Sequence, residues 1–401
     1  MRFKKFLFYF SIIILIFGAY LFGNLTGRGA LEFKNHYIPA LKYTAMQGPQ
    51  DIDFSLFWDV WNKIEEKYVD SKQIDRWKMF YGAIQGMVAA VGDPYTVFLD
   101  PEQSEKFVEE IEGEFDGVGV ELSVKNGKLT VVSPLEESPA KKAGIRANDL
   151  IEKIDGQPTD GITLEEAVNK IRGKQGTAVV LTINRNGRSL EFRLIRDRIK
   201  VKSVKWEMKG QIAYLQVSQF IDRTSSEAQK AADAILAQKP KGIILDLRNN
   251  PGGYLDGAVD LASLFIKEGV VVYEQDKDGK KQPLNVVGRA KLADLPLVVL
   301  INGGSASSAE IVAGAIADHH RGVTIGEKTF GKGTVQSFEK LKNGATLKVT
   351  VAKWLTPNGH VIENQGLKPE IEVKLTEEDI KAGRDPQLDR AIQELSQKIK
   401  H

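Results

Sequence analysis

Two stretches constrain the fold most: KGIILDLRNN (241–250) and LPLVVLI (295–301) carry apolar runs with no polar alternation. A strand built this way must be covered on both faces, which is the situation inside a parallel sheet. Each run leads into a helical pattern, LDGAVDLASLFI (255–266) after the first and the segment from residue 307 after the second. RGVTIGE (321–327) reads as a third strand. Strands alternating with helices predict an α/β core with a mostly parallel sheet, and such sheets build their sites at the carboxyl ends of the strands.

Upstream the pattern changes twice. Over 115–198, VKNGKLTVV (124–132) and AVVLTINRNGRSLEFRLI (178–195) read as hairpins, the first turning at Asn126-Gly127. Short helices are expected in SPAKKAG (138–144) and LEEAVNKIRG (164–173), so this stretch predicts a compact α+β module. Over 51–114, Phe54, Phe57, Trp58, Trp61 and Ile64 recur at three- and four-residue steps, as one apolar helix face requires. A second helical run, WKMFYGAIQGMVAAVG (77–92), is broken by GDPYTVFLDPEQ (92–103).

At the front, MRFKK precedes FLFYFSIIILIFGAYLFG (6–23), 18 residues without a charge. As a helix this run would span roughly 27 Å, about one hydrocarbon core. It reads as an uncleaved signal-anchor with the N-terminus inside; a cleaved signal peptide is the rival reading. The expected organisation is therefore a signal-anchor at 1–24, a stalk at 25–50, a helical region at 51–114, the compact module at 115–198, the α/β core at 199–375 and a charged amphipathic helix at 376–401. The folded part is expected outside the cytoplasm, attached to the cell membrane by a single pass.

Composition removes several classes of function. With no cysteine among 401 residues, disulfides, zinc–thiolate sites and a thiol nucleophile are excluded. A net charge of +2 gives no field for nucleic acid. No metal site and no cofactor is expected.

The run NGGSASSAEIVAGAIADHH (302–320) leaves the second apolar strand and enters a helix. Ser307-Ser308-Ala309-Glu310 fits the capping box S-x-x-E, and on local pattern Ser307 simply starts that helix. The alternative is a nucleophile, because the N-terminal amides and dipole of a helix favour a developing anion. A nucleophilic serine needs a base. His319 and His320 lie 12 and 13 residues further along the helix, roughly 18 Å away at ~1.5 Å per residue, too far to serve. Lys332, between Gly331 and Gly333 just after the third strand, is the remaining candidate. It must be neutral near pH 7, which calls for burial away from carboxylates. Backbone N–H groups of Gly252, Gly253 and Ser308 are the candidate oxyanion donors. Gly326-x-x-x-x-Gly331-Lys332-Gly333 also approaches a phosphate-binding loop, but Gly333 stands where a hydroxyl belongs and TVQSFEKL alternates like a strand.

Several separated motifs, GDPYTVFLDPEQ, FDGVGVEL, DLRNNPGGYL, GSASSAEI and FGKGTVQ, together resemble the carboxyl-terminal processing proteases, tail-specific serine peptidases with a Ser–Lys dyad. The resemblance covers about residues 50–380 and implies a protease core of the ClpP/crotonase-like kind beside a PDZ domain. By that match Ser307 corresponds to the nucleophile, Lys332 to the general base and Gln336 to the residue orienting the lysine. The family's usual GSASASE reads GSASSAE here, which leaves the amide of Ser308 in the donor position. Gly117, Val118, Gly119 and Val120 correspond to the PDZ carboxylate-binding loop, with Val118 and Val120 expected to line its pocket. Arg172 matches an arginine coupling the peptide-bound PDZ domain to the active site; a plain helix C-terminal charge is the rival reading. Asp318 and Arg321 resemble a family pair taken as structural. The resemblance implies an exported, membrane-anchored endopeptidase that binds C-terminal tails of proteins, with a homodimer formed through 51–110. The alternative is a PDZ-bearing adaptor with an inactive protease-like core.

Overall fold

The computed structural model describes residues 52–399, apart from Asn126 and Glu136. The expected membrane helix and stalk lie outside those residues; no described helix is long and apolar enough to cross a membrane. The chain divides into two compact units, 1–79 and 80–401. In the first, the helix Ser55–Lys67 carries Trp58 and Ile64 exposed, and Phe54 at its N-cap is exposed as well. Glu65 accepts from both Arg76 Nε and Nη2, at 2.7 and 3.1 Å, and from Trp61 Nε1.

In the second unit the apolar runs become neighbours. Val204–Lys209, Ile212–Val217, Gly242–Asp246, Leu297–Ile301, Val323–Gly326 and Ile371–Glu372 lie side by side in one sheet. The first pair is antiparallel and every later pair parallel. Gly242–Asp246 and Leu297–Ile301 are buried at every position, as their lack of alternation demands. Helices Thr224–Ala237, Leu255–Ser263 and Ser308–Asp318 pack on one face. On the other, Ile244, Val298, Leu300 and Ile325 meet Ala391 and Leu395. Each such aliphatic side chain contributes about 1.5–3 kcal/mol by leaving water.

The covering element corrects the single C-terminal helix expected over 376–401. It is two helices, Glu377–Ala382 and Pro386–Ile399, because Gly383 caps the first with φ 66° and Pro386 opens the second. A second sheet is antiparallel and centres on Thr346–Leu355, which pairs with Val97–Leu99, with Val270–Asp276 and with Thr334–Lys340. This sheet carries the chain away from Lys332.

The compact module forms around Val131, Ile151, Leu181 and Ile183, with Ala167 and Ile171 of helix Leu164–Ile171 packed on them. Both hairpins close over two residues, between Lys125 and Lys128 and between Arg185 and Arg188. The chain enters the module through Glu114–Gly117 and leaves through Asp197–Lys200, and these two strands pair with each other.

Candidate active site

The turn before helix Ser308–Asp318 is pinned at several points. Ser305 Oγ donates to the Leu247 carbonyl at 2.8 Å, and Asn302 Oδ1 accepts from the amides of Asn249 and Gly304. The turn forces Ser307 to φ 53°, ψ −116°, a strained region for a residue with a side chain. Such strain persists only where surrounding bonds enforce it. Close approach from the neighbouring strand end adds to this. Gly252 has φ +98°, and a Cβ there would stand 2.8 Å from Ser307 Cβ, so only glycine fits.

Glu310 is fully buried, and its carboxylate takes four hydrogen bonds. Oε2 accepts from Ser307 N at 2.9 Å and Lys332 N at 3.0 Å. Oε1 accepts from Gly331 N at 2.7 Å and Thr329 Oγ1 at 2.5 Å. The same oxygen thus ties the serine backbone to the lysine backbone. Burial pushes this carboxyl's pKa up, and the four donors work against that rise.

Lys332 is half-buried and shares one cleft of about 500 Å³ with Ser307, Ser308, Gly252, Gly253, Gln336 and Lys348. Its carbonyl accepts from Trp354 Nε1 at 2.9 Å, and Gly331, at φ +94°, lets the loop pass against Gly366 N. The ammonium lies over the Tyr95 ring, 4.9 Å from its centroid, and forms no ion pair among the described residues. Burial is the largest cause lowering its pKa, to about 8, and Lys348 lowers it further; Glu363, Asp93 and Glu310 pull the other way. Those carboxylates are already engaged: Glu363 accepts from Gly333 N at 2.6 Å, and Asp93 from Thr96 and Thr350. Among the described residues no hydrogen bond joins Ser307 to Lys332.

Two expected roles need adjusting. Gln336 donates to Thr334 Oγ1 at 2.9 Å and Thr350 Oγ1 at 3.3 Å rather than to Lys332. Gly252 N–H is committed to Asn250 Oδ1 at 2.9 Å. The amides of Gly253 and Ser308 find no acceptor among the described residues and stay available, while Ser308 Oγ donates to the Gly253 carbonyl. The histidines stand apart: His319 Nε2 contacts the Val270 carbonyl, and His360 Nδ1 lies 3.9 Å from Asp318. Arg321 donates to the carbonyls of Phe265, Leu292 and Leu295, and Asp318 accepts from Asn358 N, so both hold loops in place.

Known proteins resemble this chain along most of its length. A family model described as peptidase family S41 matches residues 211–373, and a PDZ domain model matches 130–185. A third, described as the activating protease CtpB N-terminal domain, matches 32–103. A carboxy-terminal-processing protease of Bartonella bacilliformis is 42% identical over 79% of this chain and 74% of its own. This chain belongs to peptidase family S41. A probable CtpA-like serine protease of Staphylococcus epidermidis is 38% identical over 78% of the chain, which spans 64% of that relative's length. The crystal structure of a putative S41 protease from Bacteroides fragilis shares the fold, with a TM-score of 0.56 at 15% identity, covering 87% of this chain and 99% of that one.

In this S41 chain the turn between strands Glu114–Gly117 and Val120–Lys125 lies ahead of the segment the PDZ model matches. The amides of Val118 and Gly119 donate to no acceptor among the described residues. The Gly119 carbonyl is held by Leu135 N and by Ser138 Oγ at 3.0 Å, and Gly117 pairs with Asp197. Val118 departs from expectation: at 1% exposure it belongs to the domain's core and does not line an open pocket. Val120 only packs partly against that core. Arg172 stacks on Phe115, 4.3 Å from the ring centroid, and pairs with Glu109 at 3.6 Å.

Sequence reasoning gave Glu310 only a capping role and passed over Asp93. The signal for Glu310 was a lone acid in SAEIVAGAIA, an otherwise apolar buried helix.

Proposed function

We propose that the chain is a serine endopeptidase acting on C-terminal tails, with Ser307 as nucleophile and Lys332 as general base. One observation carries this reading: a half-buried lysine with no ion pair among the described residues shares a cleft with a strained serine, and one carboxylate holds both backbones. In the reaction the Lys332 amine leaves the Tyr95 ring, accepts the Ser307 proton and later returns it to the leaving amine. The free amides of Gly253 and Ser308 hold the oxyanion. Thr334 and Thr350 fix Gln336 on the same wall, where it orients the lysine as it swings. The PDZ loop captures the tail carboxylate on the amides of Val118 and Gly119, and the peptide extends from there as an added strand.

The missing hydrogen bond between Ser307 and Lys332 favours a second reading, an adaptor with an idle core. Both are decided by incubating an unfolded tail-bearing substrate with the wild type, Ser307→Ala and Lys332→Ala, and mapping its C-termini by mass spectrometry. Cleavage by the wild type alone is expected. Full activity in either variant, with the fold intact, rules the dyad out; no cleavage or serine labelling in the wild type favours the adaptor.

We further assign the enzyme to the outer face of a cell membrane through residues 6–23, and to a homodimer through the apolar face of Ser55–Lys67. Extraction of washed membranes with and without detergent tests the first. Sedimentation of a Trp58→Glu variant tests the second.

A further inference from the structure

A second lysine faces the catalytic cleft. Lys348 lies on the strand Thr346–Leu355, two residues before Thr350, whose hydroxyl donates to Asp93. In the register with Thr334–Lys340 it stands opposite Phe338, as Thr350 stands opposite Gln336. Its ammonium lies 5.6 Å from the centroid of Phe107, which itself packs on Phe338 at 5.0 Å. Like Lys332 it is half-buried, lines the cleft and forms no ion pair among the described residues. Two unpaired ammonium groups on an aromatic-floored wall repel each other through a medium poorer in water than bulk.

We propose that Lys348 is a positioning residue that acts through Lys332, its fixed positive charge favouring the neutral amine that the reaction requires. This inference rests on the Ser307–Lys332 reading and goes beyond it. The other groups facing Lys332 oppose Lys348: Asp93 and Tyr95 from the GDPYT turn, Glu310 from the serine helix and Glu363 from the loop beyond the sheet all favour the cation. Among the described residues, Lys348 is the cationic neighbour set against them. Burial lowers its own pKa, while Glu110 and Asp93 favour its charged form.

The test reads two rates between pH 6 and 10: phosphonylation of Ser307 by a fluorophosphonate probe, which forms the Ser Oγ–P bond and releases fluoride, and kcat/KM for an unfolded peptide. In the wild type both rise with pH along a limb set by Lys332. Lys348→Met is expected to move that limb up by roughly one pH unit, a roughly tenfold loss at pH 7. Lys348→Arg, which keeps the charge, is expected to keep the limb in place. Should circular dichroism show Lys348→Met unfolded, Lys348→Gln serves in its stead with the same expected shift. A limb that stays put when the charge is removed overturns the proposal and leaves the dyad standing, even if the whole profile drops. A wild type that is neither labelled nor active at any pH overturns the dyad reading itself, and the role of Lys348 with it.

Discussion

Lys332 is held where its charge is least welcome, and the cost has a measurable sign. Burial brings its pKa to about 8 from an ordinary 10.5, so the folded state releases the proton before the unfolded state does. Between those values the unfolded chain binds more protons, and stability rises with pH across that window; below about pH 8 the full penalty is in force. Lys332→Met is therefore expected to abolish hydrolysis and yet raise Tm at pH 7 by a few degrees. The gain over the wild type should shrink as the pH climbs from 8 to 10.5. Thermal unfolding followed by circular dichroism checks this, and a variant that melts below the wild type at pH 7 contradicts it. Ser307 fits the same picture of a site built against local preference, since its φ of 53° opposes the helix it begins.

The elements around the site were legible wherever their residues answered to local rules. GIILD and LVVLI had to be buried strands, and the Asn-Gly signal at 186–187 gave a hairpin whose two loop residues have φ 55° and 80°. The long-range ties were not legible. Nothing in SSAEI says that Glu310 reaches the amides of Gly331 and Lys332, and nothing in TPNGH or DPQLD names a distant partner. Arg248 illustrates the point at the scale of a whole helix. Its guanidinium bonds both oxygens of Asp246, both of Asp385 and Oε1 of Gln387, while Tyr214 donates to Asp246 at 2.6 Å. This buried cluster fastens helix Pro386–Ile399 beside the strand that leads to the Gly252-Gly253 turn. Arg248→Met leaves Asp246 and Asp385 uncompensated and is expected to destabilise the fold by about 3–5 kcal/mol. Adding Asp385→Asn should recover part of that loss, because one stranded charge is gone. Urea unfolding of the single and double variants measures the coupling; strict additivity would remove the cluster from this role.

Across the second unit, charged side chains and backbone hydrogen bonds such as Val201 N to the Gly113 carbonyl tie the PDZ domain's entry and exit strands to the core. Glu114, on the paired strands that lead into and out of the domain, accepts from Arg223 at 2.6 Å and Arg198 at 3.2 Å. Arg172, capping the end of the PDZ helix, reaches over Phe115 to Glu109. A cleft of about 1100 Å³ runs along this seam, and Glu110 and Gln219 line both it and the cleft that holds Ser307 and Lys332. If Arg172 were only a favourable charge at a helix end, Lys would replace it with little loss. A planar guanidinium stacked on a ring while paired to a carboxylate is a different requirement, because an ammonium cannot satisfy both with the same geometry. When a non-cleavable tail peptide is added to the enzyme and a fluorescent unfolded substrate, the wild-type rate is expected to depend on tail concentration. Arg172→Ala and Arg172→Lys should both flatten that dependence while the PDZ domain still binds the tail, measured by fluorescence anisotropy. A lysine variant that responds as fully as the wild type reduces Arg172 to a helix cap, and the coupling must then pass through Glu114 and its arginines.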